Sequence, residues 1–352
     1  MATAAEQLLQ STEESGLRRI ESAPSASANP LVKPFVLLED VAERAYAALL
    51  GGAVGDALGA TTEFLMPGEI RQSYGIHREI VGGGWLRLKA GQVTDDTQMA
   101  LCIARSVAAQ GWSPKDIAER FAEWLKSRPV DVGNTCRRGI RRYMTQGTLE
   151  GPVLEDDAGN GAVMRVAPVA VASLADARLM RQWVLEQAHI THNHFLSDTA
   201  CCMTGSLVQL ACVATSKARL LQYVNSVIST TGKFGFRPYR NYCSAYVVDT
   251  MQTVLHYFFT TRTFEDCLVG TVNQGGDADT AGAIVGAIAG AYYGIEAIPS
   301  RWVKKLSPVL VDELRELSQQ LVLSSPLGLG CPQCNFRAYT EPGEVNPGAE
   351  CT

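Results

Sequence analysis

The stretch Asn273-Gln-Gly-Gly-Asp277-Ala-Asp279-Thr280-Ala-Gly282-Ala-Ile-Val-Gly286-Ala-Ile-Ala-Gly290-Ala-Tyr-Tyr-Gly294 couples a cluster of acids to a long uncharged run. Its glycines recur every four positions, about one helical turn, so one helix face lacks side chains and can approach another backbone closely. In a bilayer such a face could pair two helices. The run from Ala281 to Ile295 is too short to span comfortably, however, and acids abut its start. It therefore reads as a core helix. Asp277, Asp279 and Thr280 stand at its N-terminus, where negative charge is favoured.

Working outward, the same three- and four-residue spacing of apolar side chains recurs along most of the chain. It covers Val41 to Gly52, Gln98 to Gln110, Pro114 to Ser127, Thr135 to Gln146, Leu179 to Ile190 and Ser197 to Thr215. It continues through Tyr242 to Phe259, Phe264 to Val272, Asp279 to Gly294 and Pro299 to Leu323. Ser113-Pro114 and Pro299 add start signals. Few segments alternate with period two, and no strand–helix–strand rhythm appears. The expectation is an all-α fold: a flexible leader over 1–37, one compact multi-helix domain over 38–323, and an irregular Pro/Gly-rich tail over 324–352.

The chain has 352 residues, 46% of them hydrophobic, enough for a large buried core. A formal charge of −5 argues against general binding to nucleic acid or to an anionic membrane. The ten cysteines form no regular framework, which favours reduced thiols in a cytoplasmic protein. The leader has no apolar segment of secretory type. Cys331-Pro-Gln-Cys334 has the spacing of half a zinc knuckle, but no second pair follows it and Cys351 alone cannot complete a site.

A second acid cluster, Thr94-Asp95-Asp96-Thr97, precedes another helical pattern. Two clusters of hard oxygen donors, with no histidine or cysteine among them, are what Mg²⁺ or Mn²⁺ needs. If the fold joins them, they make a two-metal centre. Glu63 follows the glycine-rich Gly51–Gly59 segment, read as a helix end and turn, and is either a site acid or a surface cap. Asp131, in Pro129-Val-Asp-Val-Gly-Asn134, is either a cap or a general base whose flanking valines would raise its pKa.

Other motifs fail. Asp277–Gly282 opens like a calcium loop, but Ala281 and Ile288 fall where ligands belong. Gly159-Asn-Gly161 follows no predicted strand and is not a dinucleotide loop. His189, His192 and His194 lack the glutamate of a zinc protease helix. Arg137-Arg138 and Arg141-Arg142 read as a solvated face or as a contact for a pyrophosphate or an acidic partner.

Taken together, Gly55-Asp-Ala-Leu-Gly-Ala60 with Glu63, Thr94–Thr97, Pro129–Gly133, Gly159-Asn-Gly-Ala162 and Asn273–Thr280 resemble the ADP-ribosylglycohydrolase family. Gly82-Gly-Gly-Trp85, Arg137–Arg142, Gln187–His192 and Val248–Val254 narrow the resemblance to its bacterial members that act on dinitrogenase reductase.

The resemblance implies an all-helical fold around two Mn²⁺ or Mg²⁺ ions. Thr94, Asp95, Asp96, Asp277, Asp279 and Thr280 would be ligands, and Asp131 and Glu63 the catalytic acids. Gly133, Asn134, Asn160, His192 and Tyr246 would line the ADP-ribose pocket. The implied reaction is hydrolysis of ADP-ribose from arginine on a protein, with dinitrogenase reductase the implied target; another linkage, such as serine or a small ester, and a non-catalytic crystallin-like role are the alternatives. A PII-type regulator and reversible membrane association through a partner are implied by analogy, with the protein itself a cytoplasmic monomer.

Overall fold

The computed structural model describes residues 38–155 and 157–330. Among these the chain forms helices and no strand, as the periodicity predicts. In chain order the helices are α1 (Leu38–Gly59), α2 (Pro67–Tyr74), α3 (Asp95–Gln110), α4 (Pro114–Lys126), α5 (Asn134–Gln146), α6 (Ala167–Ala172) and α7 (Ala177–His189). They continue as α8 (Phe195–Cys212), α9 (Lys217–Thr231), α10 (Val247–Thr260), α11 (Phe264–Val272), α12 (Ala278–Tyr293), α13 (Ser300–Val303) and α14 (Pro308–Ser324). The leader expected at 1–37 and the tail cysteines Cys331, Cys334 and Cys351 lie outside the described residues.

The fold is built on one helix pair, α1 against α12, each buried along most of its length. A Cβ at Gly51 would lie 2.3 Å from the Gly286 carbonyl oxygen, and one at Gly55 only 1.9 Å from that of Gly282. In return, Gly290 faces the Ala47 carbonyl at 2.0 Å from where its Cβ would be. As α1 residue numbers rise, their α12 partners fall, so the helices are antiparallel. The end of α1 is thereby brought to the start of α12, and the loop carrying Glu63 beside Asp277 and Asp279. Interiors packed this tightly have no space for an added methyl.

Around this pair α3, α8 and α14 pack against α1, while α8, α10 and α11 pack against α12. Their facing side chains, among them Leu50, Leu58, Ile103 and Phe258, are almost wholly buried. The described cysteines are all free, most of them buried.

Three local expectations change. The glycine-rich segment does not end α1 near Gly52; the helix runs on to Gly59, because its glycines are a packing face rather than a turn. The final helical pattern breaks in two, since Pro308 starts a fresh helix and cannot donate a backbone hydrogen bond within an old one. Helix α9 is absent from the predicted helices, although Leu220, Leu221, Val224, Val227 and Ile228 recur at helical spacing and pack on the core, and Ser216 caps it by accepting from Arg219 N–H.

Candidate metal centre

The site is organised from Asp56, an acid within the apolar run of α1 and wholly buried. Its carboxylate accepts from Thr94 N–H at 3.0 and 3.1 Å, Thr94 Oγ1 at 3.0 Å, Thr97 N–H at 3.2 Å and Thr97 Oγ1 at 2.6 Å. Helix α3 has no cap from its own Thr94 side chain. Asp56 performs that task from another helix, satisfying first-turn N–H groups that would otherwise be orphaned. Burial pushes its pKa up to about 6 against the pull of these hydrogen bonds.

With α3 fixed, Asp95 and Asp96 face Asp277 and Asp279 from α12. All four are buried, as is Glu63. Carboxylate oxygens of Glu63, Asp277 and Asp279 lie within 4.8 Å of one another. Thr280 Oγ1 reaches Asp96 Oδ2 at 3.4 Å and links the two helix starts. Glu63 is held by the Trp85 indole N–H at 2.5 Å, Asp95 by Gly133 N–H at 3.1 Å and Asp277 by the Asn160 amide at 2.8 Å.

Electrostatically the cluster is unbalanced. Burial pushes the Glu63 pKa up to about 8, aided by the charges of Asp277, Asp131 and Asp95. Burial and the Asp131 charge push Asp95 up to about 7. Asp96 and Asp279 are raised well above the usual carboxylate range, first by burial and then by their acidic neighbours. Among the described residues no lysine, arginine or histidine forms an ion pair with these five acids. Asp96 Oδ1 is buried without any hydrogen-bond partner. Crowded buried carboxylates and an orphaned oxygen are what a hard cation would satisfy. The donor set therefore fits a divalent metal.

The remaining predicted residues form the rim and its supports. Asp131 is only half-buried; its carboxylate accepts from Val132 N–H at 2.8 Å. Burial and the Asp277 charge raise its pKa, opposed by that hydrogen bond and by Arg137. Gly133 caps α5 through its backbone position, and exposed Asn134 is the first helical residue rather than a cap. Tyr246 is 41% exposed and stands beside the glycine loop, where Asn160 N–H donates to the Ala245 carbonyl at 3.1 Å. His192 lies beneath that loop: a Cβ at either Gly159 or Gly161 would come within 2.9 Å of its ring. Burial and the charges of Arg165 and Arg138 hold it neutral.

The three clustered histidines do not converge. His189 pairs with Asp198, His192 with the Thr191 hydroxyl, and His194 accepts from Leu196 N–H. Two structural residues were missing from the sequence reading of the site. Asp56 was legible as an acid inside an apolar helix. Arg165, fully buried, donates to the Gly161 and Gln187 carbonyls and to Thr191 Oγ1, which fixes the loop over His192. Nothing in its neighbourhood, Val163-Met-Arg-Val166, announces that task.

Comparison with known proteins gives the chain's family. A family model described as ADP-ribosylglycohydrolase matches residues 37–327. The ADP-ribosyl-[dinitrogen reductase] glycohydrolase of Rhodospirillum rubrum is 56% identical over 276 residues, covering 78% of this chain and 94% of that protein. An ADP-ribosylarginine hydrolase of Pseudomonas putida is 31% identical over 306 residues, covering 82% of this chain and 80% of its own. A solved structure described as an ADP-ribosylglycohydrolase-related protein complex superposes with a TM-score of 0.71 at 34% identity, over 82% of this chain and 99% of that one.

Proposed function

The chain belongs to the ADP-ribosylglycohydrolase family, and on that footing we propose that it is a metal-dependent hydrolase removing ADP-ribose from modified arginine on dinitrogenase reductase. The observation that carries the reading is the set of five buried acids, Glu63 from the loop after α1, Asp95 and Asp96 from the start of α3, and Asp277 and Asp279 from the start of α12, with no ion-pairing cation among the described residues. The relatives named above supply the linkage and the protein target.

Thr94, Asp95, Asp96, Asp277, Asp279 and Thr280, with Glu63 alongside, would hold two Mn²⁺ or Mg²⁺ ions. When bound, such ions supply Lewis-acid charge beside the scissile bond. The bond joins ribose to a guanidinium nitrogen, and its cleavage builds positive charge on the sugar. Carboxylates already fixed by Trp85, Gly133 and Asn160 stabilise that charge without having to reorient. Asp131 is half-exposed while its neighbours are buried, so it can exchange protons with solvent and take one from an attacking water. Asn160 orients Asp277, while Tyr246 and Gly133 border the opening through which ADP-ribose enters. Arg165 and His192 support the loop from behind.

The test is release of ADP-ribose from ADP-ribosylated dinitrogenase reductase by chelator-stripped protein, before and after Mn²⁺ is added. Activity should vanish on stripping and return with Mn²⁺. Undiminished turnover in verified metal-free protein would overturn the proposal.

A further inference from the structure

Resting on the arginine-linked substrate above, we propose that Phe64 and Trp85 form the leaving-group subsite, an aromatic platform that stacks on the substrate's guanidinium. On C–N cleavage the electron pair goes to nitrogen, and the departing guanidine regains its charge with the proton that Asp131 takes from the attacking water. Both rings face solvent, Phe64 62% and Trp85 52% exposed, although each is large and apolar. Their centroids are 5.2 Å apart with the planes tilted by 54°. Exposed aromatic surface beside a buried polar site is informative in a way that a lone surface leucine is not.

The platform is held rigidly. Phe64 has a φ of +61°, a conformation that disfavours any residue with a bulky side chain. Phe64 N–H donates to the Gly276 carbonyl at 2.6 Å, and Gly276 N–H to that of Leu65 at 3.0 Å. On the other side, a Cβ at Gly84 would lie 2.3 Å from the Ala60 carbonyl oxygen, and Thr61 Oγ1 donates to the Gly82 carbonyl at 3.1 Å. Two loops are thus pinned so that their aromatic side chains meet, and Trp85 is hydrogen-bonded to Glu63.

A planar guanidinium is the cation best suited to stacking on aromatic faces. Among the described residues no lysine or arginine covers either ring. The acids behind the platform favour a substrate whose arginine side is a cationic guanidinium over one whose linkage is neutral. A stacked adenine would be the competing occupant. Phe64 adjoins Glu63 in the chain, however, and in ADP-ribose the base is separated by a pyrophosphate from the ribose whose bond is cleaved.

The experiment compares Phe64→Leu, Phe64→Tyr and Trp85→Phe in Mn²⁺-loaded full-length protein. Two quantities are read: KM for ADP-ribosylarginine and the inhibition constant of free ADP-ribose, which lacks the guanidinium. Phe64→Leu keeps bulk but loses the π face, and should raise KM about fivefold with the ADP-ribose constant unchanged. Phe64→Tyr should restore KM. Trp85→Phe retains a ring but drops the bond to Glu63, so kcat should fall more than KM rises. A parallel weakening of ADP-ribose binding in Phe64→Leu would assign the platform to the base and overturn the inference, as would an unchanged KM. Wild-type protein inert on ADP-ribosylarginine would instead remove the functional reading beneath it.

Discussion

Asp131 and Asp56 show how two acids in one neighbourhood do different work. Asp131 accepts its hydrogen bond within its own loop and stands half-open to solvent, so removing its charge should leave the fold untouched. Asp131→Asn should keep the wild-type melting temperature and Mn²⁺ content while turnover falls about 100-fold or more, the loss expected for a positioned acid–base group. Wild-type kinetics in that variant would reduce Asp131 to a loop residue and leave Glu63 as the acid to test. Asp56 is the reverse case. It accepts from the N–H and hydroxyl groups of Thr94 and Thr97, and Asp56→Ala would bury the two N–H groups unsatisfied. At about 1–3 kcal/mol for each stranded group, unfolding in urea should show a loss of several kcal/mol, together with loss of metal as α3 shifts. A variant that retains both stability and metal would mean that water or the Thr side chains replace the carboxylate.

At the level of elements, the glycine repeat of α12 is where sequence and structure agree most directly. A four-residue spacing of Gly282, Gly286 and Gly290 signalled close approach, and those residues meet the α1 backbone. The fourth glycine, Gly294, instead ends the helix with a φ of +82°. On α1 the same device was misread as a helix end, because glycine signals either a turn or a contact and only the partner helix decides which. Gly55→Ala tests the pairing: its methyl would lie 1.9 Å from the Gly282 carbonyl oxygen, and neither backbone can yield without parting the helices. The loss should reach about 3 kcal/mol or more, seen as a lowered melting temperature, with metal affinity reduced because Glu63 and Asp279 move apart. A fully stable variant would show that α1 and α12 are less tightly seated. The acid motifs, by contrast, were legible because each sits in a short contiguous stretch. Asp56, Arg165 and Asn160 work through partners 38, 26 and 117 positions away, and no local pattern carries such pairings.

For the molecule as a whole, the unpaired acids tie stability, metal and pH together. Among the described residues no helix is long and apolar enough to cross a membrane. In the absence of metal, folding raises the carboxyl pKa values to about 6 for Asp56, about 7 for Asp95 and about 8 for Glu63. A carboxyl whose pKa is raised by folding binds more protons in the native state than in the unfolded one. Its contribution is therefore fully present below the unfolded pKa, near 4, and is lost as pH climbs through the folded value. Metal-free protein should accordingly lose stability between about pH 5 and pH 8 from this cluster. A divalent cation binds the ionised acids and displaces their protons. The rise in melting temperature caused by saturating Mn²⁺ should thus be small at pH 5.5 and largest near pH 8. Calorimetry in two buffers of different ionisation enthalpy should register proton release on binding near neutral pH. An equal Mn²⁺ shift at both pH values, with no protons released, would mean that the acids are already ionised and balanced without metal, against the electrostatic basis of the centre.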